Sequence, residues 1–382
     1  MPRRSGSEPA RAGASTHRMR GPSDTMPPME TRRVQISSAL SDADSIDRVA
    51  RALSEGAIVA VPTETVYGLA ANAADPEAMR RLYALKGRPE HKPIARLIAL
   101  REDLWEWVPE VPDIAERLAR RLWPGPLTLV LRDGRDQLLG FRQPDHPVAR
   151  ALVRASGVPV AATSANLSGA APARTAAEIL DAFGGRIDWI LDGGETAAGE
   201  ASTVVRVDGG RWEILRPGAI VRERIADAAC RTVLFVCTGN VCRSPIAEGF
   251  LRQGLARALE LDEQRLVEHG WRVESAGTAG LDGSAATPEA VAAAEALGAD
   301  ITAHVARAVT PAMIDAADQI WVMTASQRRL LLEFAPEARA KIDVLDPDGE
   351  DITDPYRRSA EVYQRVTRLI HRAITRRVEE IL

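Results

Sequence analysis

The sequence predicts an α/β protein of two domains, a twisted-sheet α/β domain followed by a domain built on a doubly wound parallel sheet. Three observations carry that prediction. The chain has 382 residues, more than one domain usually holds. Short β-branched runs alternate with stretches of helical period along residues 34–222, and the alternation restarts along residues 231–382. Between them lies a short polar stretch, residues 223–230, which reads as a linker. Residues 1–33 are rich in Arg, Ser, Pro and Gly without apolar periodicity and are expected to be a disordered tail.

Taken in order, residues 57–61 (Ala-Ile-Val-Ala-Val) form a strand stopped by Pro62. Residues 76–85 form a helix with Asp75 as its N-cap and Pro76 at its first position. Residues 158–162 and 187–191 are further strands. Residues 232–236 (Thr-Val-Leu-Phe-Val) are a buried strand that runs straight into a loop of Cys and Gly. Strands at 271–274, 319–323 and 341–345, separated by helical stretches, imply a parallel sheet. A last helix carries Val362, Val366, Leu369, Ile370, Ala373 and Ile374 on one face.

Composition narrows the function classes. Hydrophobic residues make up 45% and charged residues 27%, which excludes collagen-like and largely disordered classes. No apolar run approaches the roughly 20 residues of a membrane span, and the first residues lack the apolar core of a secretory signal, so a cytoplasmic protein without a membrane partner is expected. Cys230, Cys237 and Cys242 are too few for a disulfide framework or a four-cysteine zinc site. The net charge of −4 argues against wholesale electrostatic capture of nucleic acid. The chain has three lysines against 46 arginines, yet Lys86 and Lys92 fall within one seven-residue stretch, where a compact ammonium is wanted.

The strongest local signal is Cys237-Thr238-Gly239-Asn240-Val241-Cys242-Arg243-Ser244-Pro245, between a buried strand and a helix opened by Pro245. A loop this short at a helix N-terminus turns backbone N–H groups inward, where they and the helix dipole hold a phosphate. Arg243 adds a bidentate contact, and the same positive field favours a nucleophilic thiolate at Cys237. Attack on a phosphoester also needs an acid for the leaving group. Asp346-Pro347 and Asp354-Pro355 both qualify, and spacing alone leaves both open.

With Ser275-Ala276-Gly277-Thr278, His304-Val305-Ala306-Arg307 and Asp354-Pro355-Tyr356, this loop resembles the low-molecular-weight protein tyrosine phosphatase family over essentially all of residues 231–382. The resemblance implies a phosphocysteine on Cys237, a phosphate clamp at Arg243, loop support from Asn240, a partner for the departing thiolate in Ser244, and Asp354 as the acid. It implies a phosphoprotein substrate and no cofactor. Phosphoarginine phosphatases resemble the same family but carry Thr where this chain has Val241, so Val241 points to phosphotyrosine, with a protein-arginine phosphatase as the alternative. Leu281-Asp282 replaces the usual aromatic wall, and Tyr356 is a candidate to supply one.

The first domain has no catalytic triad, metal-ligand spacing or Rossmann glycine pattern. Its signal is a set of polar islands at strand ends: Pro62 to Gly68, Lys86-Gly87-Arg88-Pro89, Thr163 to Gly169, Ser202-Thr203-Val204 and Arg216-Pro217-Gly218. Lys86, Arg88, Arg142, Arg174 and Arg216 are five cations suited to a polyphosphate. Across about residues 36–220 these islands, with Trp123 to Thr128, resemble the YrdC-type threonylcarbamoyl-AMP synthases. The resemblance implies that L-threonine, bicarbonate and ATP yield threonylcarbamoyl-AMP and pyrophosphate, with Mg²⁺ bridging phosphates. It places Thr65, Arg142 and Ser202 on threonine and bicarbonate, and Lys86, Arg88, Ser164, Asn166, Arg174 and Arg216 on ATP. It further implies a tRNA threonylcarbamoyl transferase partner, tRNA A37 as the destination, and tRNA itself as a candidate contact. The alternative from another class is a double-stranded RNA or tRNA-binding module, since the same fold serves that purpose.

Overall fold

The structure is a computed structural model and describes residues 30–167, 169–196, 199–279 and 281–382. The first domain opens with β1 (Arg32–Gln35), α1 (Ala43–Ser54), β2 (Val59–Val61), β3 (Gly68–Asn72), α2 (Pro76–Lys86) and β4 (Arg96–Leu97). It continues through α3 (Asp113–Leu122), β5 (Leu127–Arg132), β6 (Leu138–Arg142), α4 (Pro147–Ser156), β7 (Val160–Ser164) and α5 (Ala176–Phe183). It closes with β8 (Trp189–Asp192), β9 (Thr203–Asp208), β10 (Arg211–Arg216) and α6 (Arg222–Ala229). The second domain holds β11 (Arg231–Cys237), α7 (Arg243–Ala258), β12 (Trp271–Gly277), α8 (Pro288–Glu295) and α9 (Pro311–Ala316). It ends with β13 (Gln319–Val322), α10 (Ala325–Phe334), β14 (Ile342–Val344) and α11 (Ala360–Ile381).

The first sheet has ten strands in the order β1-β8-β2-β3-β7-β4-β6-β5-β9-β10. Parallel pairs such as β5 with β9 occur beside antiparallel pairs such as β3 with β7, so the sheet is mixed. Its register decides what meets at the strand ends. Gly68 pairs with Ser164, Leu97 with Arg142, and Arg216 with Val204. The polar islands, far apart in sequence, therefore converge on neighbouring strand ends. The helices behave as their caps dictate: Asp75 accepts from the amides of Glu77 and Ala78 to start α2, and Gly87 in the left-handed region ends it.

The second sheet is fully parallel, β12-β11-β13-β14, as expected of a doubly wound domain. Central β11 is covered on both faces, with Phe235 and Val233 on one core and Leu234 and Val236 on the other. Helix α11 presents Val366, Ile370, Ala373 and Ile374 to the first of these cores.

Two expectations about the boundaries change. The tail expected over residues 1–33 lies mostly outside the described residues, and its last two members, Arg32 and Arg33, belong to β1 paired on β8. The stretch read as a linker, residues 223–230, is helix α6, whose Ile225, Ala228 and Ala229 complete a core with α3. Its helical apolar spacing is short, which is why it reads as polar in sequence.

Helix α3 also reaches the second domain. Arg120 and Arg121 both bond the Asp318 carboxylate, at 2.6 and 3.1 Å, and that carboxylate accepts the Thr232 amide at 2.7 Å. Removing it leaves two largely buried guanidinium groups without their anion. Asp318→Ala should therefore destabilise the chain by about 2–3 kcal/mol, read as a lower unfolding midpoint in denaturant. An unchanged midpoint would mean that the ion pairs contribute nothing to the docking of the two domains.

Candidate active sites

In the second domain, Cys237 ends β11 and Arg243 begins α7, so the loop between them wraps the helix N-terminus. Cys237 Sγ lies 2.9 Å from Ser244 Oγ and accepts from the Asn240 amide at 3.2 Å. Asn240 takes a positive φ of 58°, which Asn tolerates, and its buried side chain holds the loop closed. Its Nδ2 donates to Ser244 Oγ and Ser275 Oγ, both at 2.9 Å, and its Oδ1 accepts the Arg307 amide at 2.9 Å. His304 Nε2 caps the Asn240 carbonyl at 2.7 Å. Only glycine fits at position 277, since a Cβ there would stand 2.6 Å from the Thr238 carbonyl.

Arg243 crosses the cleft. Its Nη1 donates to the Ile352 carbonyl at 3.0 Å and its Nη2 pairs with Asp354, while its buried Nε has no partner among the described residues. Geometry separates the two acid candidates. Asp354 lines the cleft with Cys237, whereas Asp346 caps its own turn by accepting the Asp348 amide at 2.9 Å. The cleft measures about 180 Å³, with Val241, Ala279, Leu281 and Tyr356 as apolar walls around the Cys237 and Arg243 floor. Cys242 sits beneath it, 3.4 Å from Tyr363 Oη, and burial pushes its thiol up from its ordinary value.

Sequence reasoning assigned no role to Glu248. It is buried, accepts from Ser275 Oγ at 2.7 Å and so extends the Asn240 network, with burial raising its carboxyl above the usual range. Its only sequence signal is an acidic residue on an otherwise apolar helix face, five positions after Arg243.

The first domain brings its candidates together in three groups. Arg142 Nη2 donates to Thr65 Oγ1 at 2.8 Å and to Glu64 Oε1 at 2.9 Å. Arg216 Nη2 donates to the Ser202 carbonyl at 2.7 Å, and Ser202 Oγ lies 2.9 Å from Thr128 Oγ1. Gly218 permits this, because a Cβ there would fall 2.3 Å from the Ala201 carbonyl. Burial first, then the charges of Arg142 and Arg88, hold Arg216 below its ordinary value, which ties these cations to one crevice.

The third group is Lys86 with Ser164 and Asn166. Lys86 Nζ donates to the Ser164 carbonyl at 2.6 Å, the Asn166 carbonyl at 2.5 Å and Asn166 Oδ1 at 2.7 Å. All three N–H donors are engaged, so this ammonium braces the Ser164–Asn166 turn that sequence reasoning placed beside it on a nucleotide. Burial, then the nearby Arg88, lower it to about 8, leaving it cationic at neutral pH. Arg88 and Arg174 stand at the margins. Arg88 donates to the carbonyls of Lys92 and Pro93, and Arg174 pairs with Glu195 at 2.8 Å. Glu64 and Thr128 are the contributors that sequence reasoning missed.

These two sites define a protein with a cysteine loop wrapped on a helix N-terminus in one domain and a cation-rich set of strand ends in the other. Residues 51–218 match the Sua5, YciO and YrdC family described as telomere recombination, and residues 232–381 match the low molecular weight phosphotyrosine protein phosphatases. The chain belongs to the threonylcarbamoyl-AMP synthase family through its first domain and carries a low-molecular-weight phosphatase domain as its second. The threonylcarbamoyl-AMP synthase of Photobacterium profundum is 32% identical over 186 residues, 46% of this chain and 100% of that protein. That of Bacillus subtilis is 41% identical over 210 residues, 52% of this chain, and the match spans 61% of that protein's length. The crystal structure of the tyrosine phosphatase Wzb from Escherichia coli K30 with sulphate is 32% identical, covers 40% of this chain and 99% of that one, and has a TM-score of 0.36.

Proposed function

We propose that the chain is a bifunctional enzyme: an L-threonylcarbamoyladenylate synthase serving tRNA A37 modification, joined to a cysteine-dependent protein phosphatase. The synthase reading rests on the convergence of Thr65, Arg142, Ser202 and Arg216 with the Lys86-braced turn, in a domain whose relatives carry that name. In this reading Thr65, Arg142 and Ser202 hold threonine and bicarbonate. Lys86, Arg88, Ser164, Asn166, Arg174 and Arg216 serve ATP, Lys86 by holding the turn in shape. The carbamate carboxylate attacks the α-phosphorus and pyrophosphate leaves, so the chemistry is positioning and charge neutralisation. In this reading Mg²⁺ bridges the ATP phosphates and adds to the charge neutralisation. The adenylate is consumed by a tRNA threonylcarbamoyl transferase in the cytoplasm. Among the described residues no helix is long and apolar enough to cross a membrane.

The phosphatase reading rests on one observation, Cys237 and Arg243 facing Asp354 across a closed loop. The Cys237 thiolate attacks phosphorus while Asp354 protonates the leaving oxygen, and Arg243 holds the equatorial oxygens. Ser244 then stabilises the thiolate as water, deprotonated by Asp354, releases phosphate. The apolar walls Val241, Leu281 and Tyr356 suit an aromatic ring, which favours phosphotyrosine over phosphoarginine. On matched peptides, with Cys237→Ser as the blank, phosphotyrosine should give the higher kcat/KM, by roughly tenfold or more, the scale of one well-filled pocket. The reverse preference would make it a protein-arginine phosphatase.

A further inference from the structure

We infer that Glu64 and His146 form the subsite for the amino group of the amino-acid substrate, Glu64 holding the ammonium and His146 accepting its proton before the carbamate forms. This rests on the synthase reading above. Glu64 lies in the loop joining β2 to β3, one residue before Thr65. Its Oε1 takes the Arg142 contact, while its buried Oε2 has no hydrogen-bond partner among the described residues. Arg142 Nε is likewise buried and unpartnered, and so is His146 Nδ1 at the N-terminus of α4. Pro62 and His146 meet at Gly193, where a Cβ would stand 3.0 Å from Pro62 Cγ and 3.8 Å from His146 Cε1. Glu64, Arg142 and Thr65 thus meet at one point, and the His146 imidazole stands close enough for the Glu64 charge to act on it.

Each orphan atom specifies what it lacks. A carboxylate oxygen only accepts, so Glu64 Oε2 calls for a donor; Arg142 Nε only donates and calls for an acceptor. An amino-acid zwitterion supplies both, its ammonium to Glu64 and a carboxylate, its own or that of bicarbonate, to Arg142. Neither group could exchange roles without placing like charges together.

An ammonium has no lone pair to attack with. One N–H proton passes to the His146 imidazole, and the amine lone pair forms the N–C bond to bicarbonate. The C–OH bond breaks and leaves as water with the second N–H proton, giving the carbamate. Burial, which outweighs the opposing charge of Glu64, holds His146 below the usual histidine value, and Arg150 adds to that while Asp145 opposes it. It is therefore neutral and able to accept near pH 7.

The test uses the full chain, following threonine-dependent pyrophosphate release, with phosphatase turnover and the unfolding midpoint as controls for folding. Glu64→Gln should raise the threonine KM roughly tenfold or more, the loss of one charge-assisted contact, with the ATP KM unchanged. It should also remove the preference for binding L-threonine over its α-hydroxy analogue, which a packing defect would not do. With bicarbonate held in excess at each pH, the wild type should lose kcat/KM for threonine toward acid pH, and His146→Gln should abolish that fall. An unchanged threonine KM in the first variant, or a wild-type acid limb in the second, overturns the inference. If the wild type itself releases no threonine-dependent pyrophosphate, the synthase reading fails and this inference falls with it.

Discussion

Cys237→Ser should abolish phosphatase turnover, a loss of roughly 10⁴-fold or more, while inorganic phosphate still binds and threonine-dependent pyrophosphate release is unaffected. The reasons are local. In the proposed reading phosphate is held by the loop amides and Arg243; of these the substitution alters only the partner of the Asn240 amide, which donates to Cys237 Sγ at 3.2 Å and can donate to a serine oxygen instead, and the Asn240 side chain still ties the loop to Ser244 and Ser275. What disappears is the sulfur that forms the covalent bond, with its 2.9 Å contact to Ser244. The synthase crevice sits on a different sheet. Steady-state hydrolysis of a phosphotyrosine peptide and phosphate titration of the variant check both halves, and normal hydrolysis would end the phosphocysteine mechanism.

Lys86→Ala should lower threonine-dependent pyrophosphate release by roughly 10²-fold, the scale of misplacing the nucleotide-holding turn that the ammonium braces. The ammonium bonds three acceptors of the Ser164–Asn166 turn at 2.5 to 2.7 Å, and all three lose this charged donor together, leaving the turn its own Asn166 amide and Ser164 hydroxyl contacts. Lys86→Arg should not rescue, because a planar guanidinium cannot point three short bonds into a socket shaped for a tetrahedral ammonium. The pH dependence has a definite sign. A lysine lowered to about 8 is charged below that value and neutral above it, so synthase activity should decline as pH rises through 8. Activity of Lys86→Ala equal to wild type, with full threonine dependence, would contradict this account of the crevice.

How much of this is legible in the sequence depends on how far apart the cooperating residues lie. The phosphatase loop is contiguous, so Cys237 and Arg243 can be read directly, and the family resemblance adds Asn240 and Ser244. Helix α2 is legible because Asp75, Pro76 and Gly87 are local signals for its start and stop. The choice between Asp346 and Asp354 is not local, and spacing cannot make it. Which aspartate meets Arg243 is fixed by the path of residues 345–359 over the sheet.

The synthase crevice is harder to read for the same reason. Thr65 and Arg142 meet across 77 positions, and Thr128 and Ser202 across 74, so their pairing follows from strand order in a mixed sheet. Some of those strands are inconspicuous. β3 reads Gly-Leu-Ala-Ala-Asn, a poor strand by propensity that forms because β2 and β7 pair on either side of it. Lys86 was legible as a lysine among arginines, but not that its three donors face a turn of its own domain. Asp318 bridging Arg120 and Arg121 left no sequence signal, since its partners belong to the other domain.

The central claim is that one chain carries two independent chemistries, and the direct measurement assays one preparation for both. Wild type, Lys86→Ala and Cys237→Ser are each followed for pyrophosphate release requiring threonine, bicarbonate and ATP, and for phosphate release from a phosphotyrosine peptide. The account predicts that wild type performs both, that Lys86→Ala loses only the first, and that Cys237→Ser loses only the second. Pyrophosphate release that does not require threonine, or a wild type lacking either activity, would contradict it.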